Sequence, residues 1–262
     1  MSASTSGTPV VPARQTISAV VITRNEEAVI RRCVESLAWA DELIVMDSGS
    51  TDRTVDICRE LGANVFDADW QGPATQRNRG MERAAGEWIL ALDADEWVSD
   101  ELRREIEATL AASPPAVAYR IPRLSSYCGR PMRHGGWWPD YVSRLFRRDA
   151  ARFEGGIVHD RLVCAGPLGR LHNHLLHEPF TDLTKVLVKL NAYSTWGAEV
   201  MHGEGKRSGL ARAVGHGAWT FFRTYVLRGG FLDGREGFML AVSNAEGTYY
   251  KYVKLMLMGR RK

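Results

Sequence analysis

The stretch Trp88-Ile-Leu-Ala-Leu-Asp93-Ala-Asp95 decides the fold class of this chain. An apolar run of strand length ends there in two carboxylates, and Glu96 follows directly. Apolar runs bounded by turn signals are typical of buried strands, and open α/β sheets bind ligands beyond the carboxyl ends of their strands. An isolated Asp-x-Asp is more often a solvated loop. At a sheet edge, however, the pair suits a divalent cation that carries a diphosphate.

The upstream chain repeats this strand-then-polar pattern twice. A β-branched run from Ile17 to Ile22 ends in Thr23-Arg-Asn25-Glu26-Glu27, and a second run over 42–46 ends in Asp47-Ser-Gly-Ser-Thr-Asp52. A helical pattern follows each run. Strand–helix alternation with short turns predicts right-handed crossovers and a mostly parallel sheet. The three polar motifs should therefore meet at one nucleotide-binding edge.

Cap signals predict where the helices begin and end. Asn25 is placed to cap the first helix. Gly62 lies where the second helix should stop. A third helix is predicted over 73–85, ended by Gly86. It contains Gln76-Arg-Asn78 and Arg79, and the strand that ends at Asp93 follows it.

The polar residues fit a nucleoside diphosphate. Asp47, at a strand tip, can accept hydrogen bonds from a base or a ribose, and residues 48–51 bring small side chains and backbone amides close. The structural alternative for Asp47 and Asp52 is turn and capping duty, and we favour that alternative for Asp52. The chain has neither a dinucleotide-binding Gly-x-Gly-x-x-Gly after a strand nor a P-loop.

As a set, these four motifs resemble family 2 glycosyltransferases with the GT-A fold. The resemblance implies a Rossmann-like nucleotide-binding sheet with helices on both faces. It also implies that Mg²⁺ or Mn²⁺ acts on a sugar-nucleotide diphosphate through Asp95. The donor-binding residues on this reading are Thr23, Asn25, Glu26, Asp47, Gln76, Asn78 and Asp93.

The segment after residue 113 is predicted to complete the acceptor side. It contains His134-Gly-Gly-Trp137-Trp138-Pro-Asp140, Arg144-Leu-Phe-Arg-Arg148 and His172-Asn-His174-Leu-Leu-His177. One tryptophan can stack on a sugar while the other packs in the core, and Arg144 can hold a phosphate bidentately. His172 and His174 alternate as on a strand, but no thiolate or acidic partner supports a zinc site. His177 is instead predicted to reach the donor's metal, as a histidine does in some GT-A enzymes.

The second half of the chain narrows the resemblance to bacterial lipopolysaccharide core β-1,4-glucosyltransferases. The matching motifs are His134-Gly-Gly-Trp137, Arg144-Leu-Phe-Arg-Arg148, Val158-His-Asp160, Gly230-Phe-Leu-Asp-Gly234 and Lys251-Tyr-Val-Lys-Leu255. The resemblance implies inverting transfer, with UDP-glucose as donor and an inner-core heptose or related lipid-linked glycan as acceptor. One departure is Asp160, where the family pattern more often has glutamate.

The catalytic base is predicted to be Asp160, which follows a strand-like Ile-Val-His run. Asp140 is the second candidate and Glu178 the third. The base takes the proton of the attacking hydroxyl. Three alternatives stay open: a GT-A transferase with another nucleotide sugar and another envelope glycan, a sugar nucleotidyltransferase, and a non-catalytic lectin-like or scaffold protein.

Composition predicts a cytoplasmic enzyme with a basic tail. The 262 residues carry a net charge of +3, but residues 201–262 hold 11 basic against 4 acidic residues. The four cysteines are scattered, which indicates neither a disulfide framework nor a zinc knuckle. Residues 1–16 read as a disordered leader without a signal peptide, residues 17–180 as the GT-A domain and 181–262 as a C-terminal helical extension.

The tail mixes its basic residues with aromatic ones, which suits the surface of an anionic membrane. We therefore expect a peripheral protein on the cytoplasmic face of the inner membrane. The alternative is a helical pair that packs its aromatic side chains on the catalytic core. No motif supports nucleic-acid binding.

Overall fold

The structure is a computed structural model that describes residues 15–156 and 160–259. Most of the predicted leader and the run before Asp160 lie outside the described residues. The chain divides into two compact units. Among the described residues, the sheet unit comprises 15–121, 143–156 and 160–173, and the helical unit comprises 122–142 and 174–259.

The described elements follow a strand–helix order in the first half of the chain and end in helices. The strands are β1 Ile17–Thr23, β2 Glu42–Asp47, β3 Asn64–Asp67, β4 Trp88–Asp93, β5 Glu96–Val98, β6 Ala118–Tyr127, β7 Arg130–Pro131, β8 Asp140–Arg147, β9 Ala151–Gly155, β10 Asp160–Cys164, β11 Leu168–Arg170 and β12 Leu175–Phe180. The α-helices are α1 Ile30–Glu35, α2 Thr54–Glu60, α3 Pro73–Met81, α4 Asp100–Ala111, α5 Leu183–Gly203, α6 Leu210–Phe222 and α7 Gly234–Met258.

The sheet unit contains the predicted parallel sheet. Its strand order is β3-β2-β1-β4, all parallel, and β8 joins β4 antiparallel. The register sets Thr23 beside Asp47 and Ile22 beside Asp93. The three motif-bearing strand ends therefore meet at one edge, as the sequence predicted.

Every residue of the central strand β1 is buried, so both of its faces are covered. Val20 and Ile22 pack in one core with residues of α3, while Ala19 and Val21 are buried on the opposite face. Burial of the valine and isoleucine side chains among these contributes roughly 1.5–3 kcal/mol each. At Gly80 a Cβ would overlap Val20, so glycine lets α3 approach the sheet closely. The fold is mixed α/β of the GT-A type with additional C-terminal helices, which confirms the predicted class.

Two of the predicted helix boundaries are wrong. Asn25 does not cap α1, because that helix begins at Ile30 after Val29, and Asn25 instead has a left-handed backbone with φ of 54°. Helix α3 ends at Met81 rather than near Gly86, whose backbone N–H donates to Ser18 Oγ at 2.8 Å. Gly62 does follow the end of α2, with φ of 81°.

The helical unit is built on three helices. Helix α7, of 25 residues, packs against both α5 and α6, and β12 runs parallel to the second half of β6. None of the helices that the structure describes is both long and apolar enough to cross a bilayer. His172 and His174, whose alternation would suit a strand, lie in the connection between β11 and β12.

Candidate active site

Two loops at the carboxyl edge of the sheet unit are joined by hydrogen bonds. The backbone N–H of Asn25 donates to Ser50 Oγ at 2.8 Å, and Asn25 Oδ1 accepts from the N–H of Thr51 at 2.7 Å. The N–H of Glu26 donates to Thr54 Oγ1 at 2.8 Å. The polar segments after β1 and β2 thus form one rim with a fixed shape.

Asp47 shapes this rim from within. Its Oδ2 accepts from the N–H groups of Gly49 and Ser50 at 3.0 and 2.8 Å, and its Oδ1 accepts from Ser50 Oγ at 2.5 Å. Gly49 has φ of 83°, a conformation that favours glycine. Asp47 therefore performs the turn duty that the sequence offered as its structural alternative, and its donor role remains a prediction.

Helix α3 brings two further predicted donor residues to the edge. Gln76 is fully buried, and its Nε2 donates to Asp69 O at 2.6 Å and to Ser48 Oγ at 3.2 Å. Asn78 forms a two-way bond with the backbone of Phe153, donating to its carbonyl at 2.9 Å and accepting from its N–H at 3.0 Å. Asn78 thereby ties α3 to the β9–β10 hairpin.

Asp93 lies between two buried arginines. Its Oδ1 accepts from Arg77 at 2.5 Å and its Oδ2 from Arg144 at 2.5 Å. Arg144 also donates to Glu96 Oε1 at 2.8 Å. Burial acts to lower the pKa of Arg144, but the charges of Asp93 and Glu96 outweigh it and hold that pKa well above its usual value.

The first-choice base joins the same network. Arg77 donates through its other terminal nitrogen to Asp160, so a single guanidinium holds Asp93 and Asp160 together. Asp160 is the first residue of β10, in the hairpin that Asn78 anchors. The structure therefore brings the predicted base to the donor edge.

Asp95 lies in the turn between β4 and β5, close to the same carboxylates. Burial raises the pKa of the Cys33 thiol, and the charges of Glu96, Asp95 and Asp93 add to that rise. Arg77 and Arg144 pair with three carboxylates of this edge, those of Asp93, Glu96 and Asp160.

The hard carboxylate oxygens of Asp93, Asp95 and Glu96 are donors of the kind that Mg²⁺ and Mn²⁺ take. Both oxygens of Asp93 accept from arginines, and the role of metal ligand stays a prediction for Asp95. No group of three or more potential ligands occurs among the described residues. A single carboxylate fits the way Mg²⁺ is commonly held, by one or two carboxylates together with substrate phosphates.

Unsatisfied polar atoms concentrate at this edge. Within the described ranges, the buried side-chain atoms that lack a hydrogen-bond partner are Thr23 Oγ1, Gln76 Oε1, Arg77 Nε and Arg144 Nε. An unsatisfied buried polar group costs about 1–3 kcal/mol, and native proteins keep few of them. All four belong to the motifs singled out in the sequence, so the edge has polar capacity left for a ligand.

Two predicted residues of the helical unit have partners of their own. Asp140, the second candidate base, accepts from Arg123 Nε at 2.9 Å and from its terminal nitrogen at 2.6 Å. His177, the predicted metal ligand, has Nδ1 at 2.7 Å from Ser125 Oγ. Both roles remain predictions.

The predicted acceptor loop is held by a buried aspartate. Asp233 accepts from the N–H groups of Arg133 and His134 at 3.1 and 2.8 Å, and His134 Nδ1 lies 2.9 Å from its other oxygen. Trp137 packs edge-on against Tyr127, with ring centroids 6.0 Å apart. Its neighbour Trp138 meets His174 edge-on, with centroids 5.6 Å apart. The two tryptophans thus face different surroundings.

Sequence reasoning gave no role to Arg77, Glu96 or Asp233. Each of them lies inside or directly beside a quoted motif, so the motifs contained the signal. Arg77 is 2% exposed although arginine is mostly a surface residue, and its partners are 16 and 83 positions away. Arg144, predicted on the acceptor side, lies instead with Asp93 and Glu96.

Comparison with known proteins finds similar chains. Residues 18–170 match the sequence profile described as "Glycosyl transferase family 2". An "Uncharacterized glycosyltransferase" of Rickettsia felis is 32% identical over 253 residues, which cover 91% of this chain and 89% of that protein. The "Lipopolysaccharide core biosynthesis glycosyltransferase LpsC" of Rhizobium meliloti is 31% identical over 256 residues, 91% of each chain. Among solved structures, S. aureus TarS 1–349 in complex with UDP-GlcNAc aligns over 94% of this chain and 92% of its own, with 15% identity and a TM-score of 0.49.

Proposed function

The chain belongs to glycosyltransferase family 2, and from that premise we propose that it transfers glucose from UDP-glucose, with inversion, to a lipid-linked saccharide of the lipopolysaccharide core. The likeness to LpsC over 91% of both chains supports the acceptor class. An inner-core heptose is the acceptor sugar that the motifs of the second half imply.

The observation that carries the proposal is the concentration of unsatisfied polar atoms at the carboxyl edge. Thr23 Oγ1 can donate to a ligand and Gln76 Oε1 can accept, while Arg77 Nε and Arg144 Nε are further buried donors. A nucleoside diphosphate offers both donors and acceptors to such a set. The rim formed by Asn25, Glu26 and Asp47 would hold its uridine.

The metal is proposed to be Mg²⁺ or Mn²⁺, held by Asp95, with His177 as the second candidate ligand. When bound, the cation neutralises the charge that develops on the departing diphosphate. Next to it, Arg77 and Arg144 hold the carboxylates of Asp93, Glu96 and Asp160 in place.

Asp160 is the proposed base. The acceptor hydroxyl oxygen bonds to the anomeric carbon of glucose, the bond from that carbon to the diphosphate breaks, and the hydroxyl proton passes to Asp160. Because Arg77 holds Asp160 as well as Asp93, the proton acceptor keeps a fixed position relative to the donor edge. Asp140, with its Arg123 pair, is the second candidate.

On the acceptor side we propose His134, Trp137 and Trp138, whereas Arg144, which pairs with Asp93 and Glu96, is assigned to the donor edge. Asp233 fixes the loop that carries His134, and the exposed part of that imidazole can meet a sugar hydroxyl. Trp138 offers a ring for stacking, while Trp137 belongs to an apolar cluster with Tyr127 and Phe180.

Contact with an anionic membrane is the third part of the proposal. Residues 205–232 contain five basic residues and no acidic one. The same segment exposes large apolar side chains, among them Trp219 at 53%, Leu227 at 59% and Phe231 at 51%. Buried Ala213 and Gly217 mark the opposite stripe of α6. An apolar surface flanked by positive charge suits the headgroup region of a membrane, and we propose the cytoplasmic face of the inner membrane.

The test is a donor-release assay with purified protein, Mn²⁺ and UDP-glucose, UDP-galactose or UDP-N-acetylglucosamine. We expect slow UDP release that is fastest with UDP-glucose and rises when heptose-containing lipopolysaccharide core is added. A higher rate with another sugar, or no response to the core acceptor, would mean a different donor or envelope glycan. Chemistry that depends on pyrophosphate, with no UDP release, would show a nucleotidyltransferase and overturn the proposal.

A further inference from the structure

The helical unit contains an apolar cavity of about 270 Å³ that the transfer reaction does not use. Its walls come from α5, α7 and the strand and loop residues beneath them. Tyr127, Trp137 and Phe180 supply aromatic rings, and Val186, Leu190 and Leu240 supply aliphatic groups. The space is partly open to solvent, and a concave apolar surface with a few polar groups is the usual form of a ligand site.

A glycine on α7 keeps part of the cavity open. Gly247 lines the space, and a Cβ there would have its nearest contact with Leu190 at 3.5 Å, an ordinary van der Waals distance. A longer side chain at this position would extend into the cavity. Glycine in a helix interior costs roughly 0.5–1 kcal/mol relative to alanine, and here it leaves the volume free.

Two lysines give the cavity a positive rim. Lys189 and Lys251 line it together with small polar side chains, and no aspartate or glutamate occurs among the described residues that line it. Lys189 Nζ donates to the carbonyl of Pro179 at 3.2 Å and lies 5.2 Å from the centre of the Phe180 ring. Lys251 Nζ lies 5.4 Å from the centre of the Tyr252 ring. Each ammonium group has three donors, which leaves capacity for an anion beside the apolar walls.

We propose that this cavity takes one acyl chain of the phosphate-bearing lipid that anchors the acceptor, with Lys189 and Lys251 at its phosphate. Apolar walls match the chain, and a rim with positive and no negative charge matches the phosphate. The inference rests on the proposed function, because it assigns the lipid part of the same acceptor. It also gives Trp137 a wall of the lipid site rather than a sugar platform.

The test uses decyl phosphate below its micelle concentration, with decyl glucoside as the uncharged probe of the same chain length. Calorimetry on the full chain should show that decyl phosphate binds more tightly than decyl glucoside. Gly247→Leu should weaken decyl phosphate binding by at least about tenfold, because its side chain fills the cavity. The matched control is Gly203→Leu, at an exposed glycine with open space around it, and it should bind like the parent.

A second variant keeps the inference testable if Gly247→Leu does not fold. Replacing Lys189 and Lys251 with Gln should weaken decyl phosphate binding roughly 30-fold and leave decyl glucoside binding unchanged. Equal affinity of the parent for the two probes, or of parent and Gly247→Leu for decyl phosphate, would overturn the lipid site. If the parent protein binds UDP but not decyl phosphate, the lipid site is refuted and the proposed function is not. If the parent releases no UDP from any UDP-sugar, the proposed function is refuted.

Discussion

The sheet unit and the helical unit distribute polar and apolar groups in opposite ways. The sheet unit buries charged groups: Arg77 and Arg144 are almost fully buried and pair with carboxylates. The helical unit exposes apolar groups: Trp219, Phe222 and Leu232 are about half exposed. Buried charge is costly unless it is paired, and large exposed apolar patches mark interaction surfaces. This contrast agrees with the proposal that the first unit binds a polar ligand and the second an apolar partner.

The largest effect is expected when the proposed base of the sheet unit is removed. Asp160→Asn keeps the shape of the side chain but cannot take up the proton, so turnover should fall by roughly 10²–10⁴ with UDP affinity nearly unchanged. UDP release in the presence of acceptor measures it, and Asp149→Asn, at a highly exposed aspartate, is the control. If Asp160→Asn stays active while Asp140→Asn is inactive, Asp140 rather than Asp160 is the base.

The buried arginine pairs can be tested through stability. Arg77→Met leaves Asp93 and Asp160 without their shared cation, and breaking a buried pair in this way costs about 3–5 kcal/mol. Urea unfolding measures the loss. Arg79 lies two residues after Arg77 on the same helix and pairs with Asp69, whose side chain is mostly exposed. Arg79→Met should therefore lower the free energy of unfolding by no more than about 1 kcal/mol. Equal losses for the two variants would show that the Arg77 network is no more than a surface contact.

The outward-facing side of the comparison predicts vesicle binding. The protein should sediment with phosphatidylglycerol vesicles at low salt and detach at high salt, because screening weakens the attraction. Replacing Arg212 and Arg223 with Gln should weaken this binding roughly 30-fold, since each basic residue near an anionic surface contributes about 1 kcal/mol. Lys254 is left intact, because it donates to Asn191, Ser194 and Thr195 on α5.

The matched control for vesicle binding lies in the sheet unit. Arg59 and Arg104 are exposed, and replacing both with Gln makes the same change in net charge. That variant should bind vesicles like the parent. If both double variants lose binding equally, net charge rather than the apolar helical surface drives association.

The smallest expected effect is a pH dependence inside the sheet unit. Burial acts to raise the pKa of Glu105, but hydrogen bonds from the backbone amides of Asn173 and His172 outweigh it and lower that pKa. This carboxylate therefore contributes stability above its unfolded pKa, and the contribution is lost as the pH falls through its folded pKa. Glu105→Gln should cost about 1 kcal/mol at neutral pH. Urea unfolding at pH 7 and pH 3 should show parent and variant converging in acid, and a constant difference would refute the assignment.

The sequence predicted the features that depend on local pattern. Apolar runs followed by polar motifs placed Thr23, Asp47 and Asp93 at one edge, and the register confirms it. Local pattern also misled: Asn25 looks like a helix cap, yet its side chain bonds to Thr51, 26 residues along the chain. The hydrogen bond to Thr51, in a loop distant in sequence, outweighs the local preference of Asn25 for a helix cap.

Long-range pairing is what the sequence could not show. Arg77 reads as a solvated helix residue, and only the approach of Asp160, 83 residues away, makes it the centre of a buried network. Asp233 lies in a quoted motif, but its bond to the His134 backbone spans 99 residues. The aromatic tail was correctly predicted to be helical. The exposed side of α6 and the cavity beside α7 depend on helix packing that periodicity does not specify.

The most direct test of the central claim is the metal dependence of UDP binding at the carboxyl edge. Calorimetry of UDP with parent protein should show a large gain in affinity when Mn²⁺ replaces EDTA. In Asp95→Ala that gain should vanish while the fold stays intact. Asp56→Ala, at an exposed position of α2, should keep the gain. If Asp95→Ala retains the same Mn²⁺-dependent affinity as the parent, the metal assignment at this edge is contradicted.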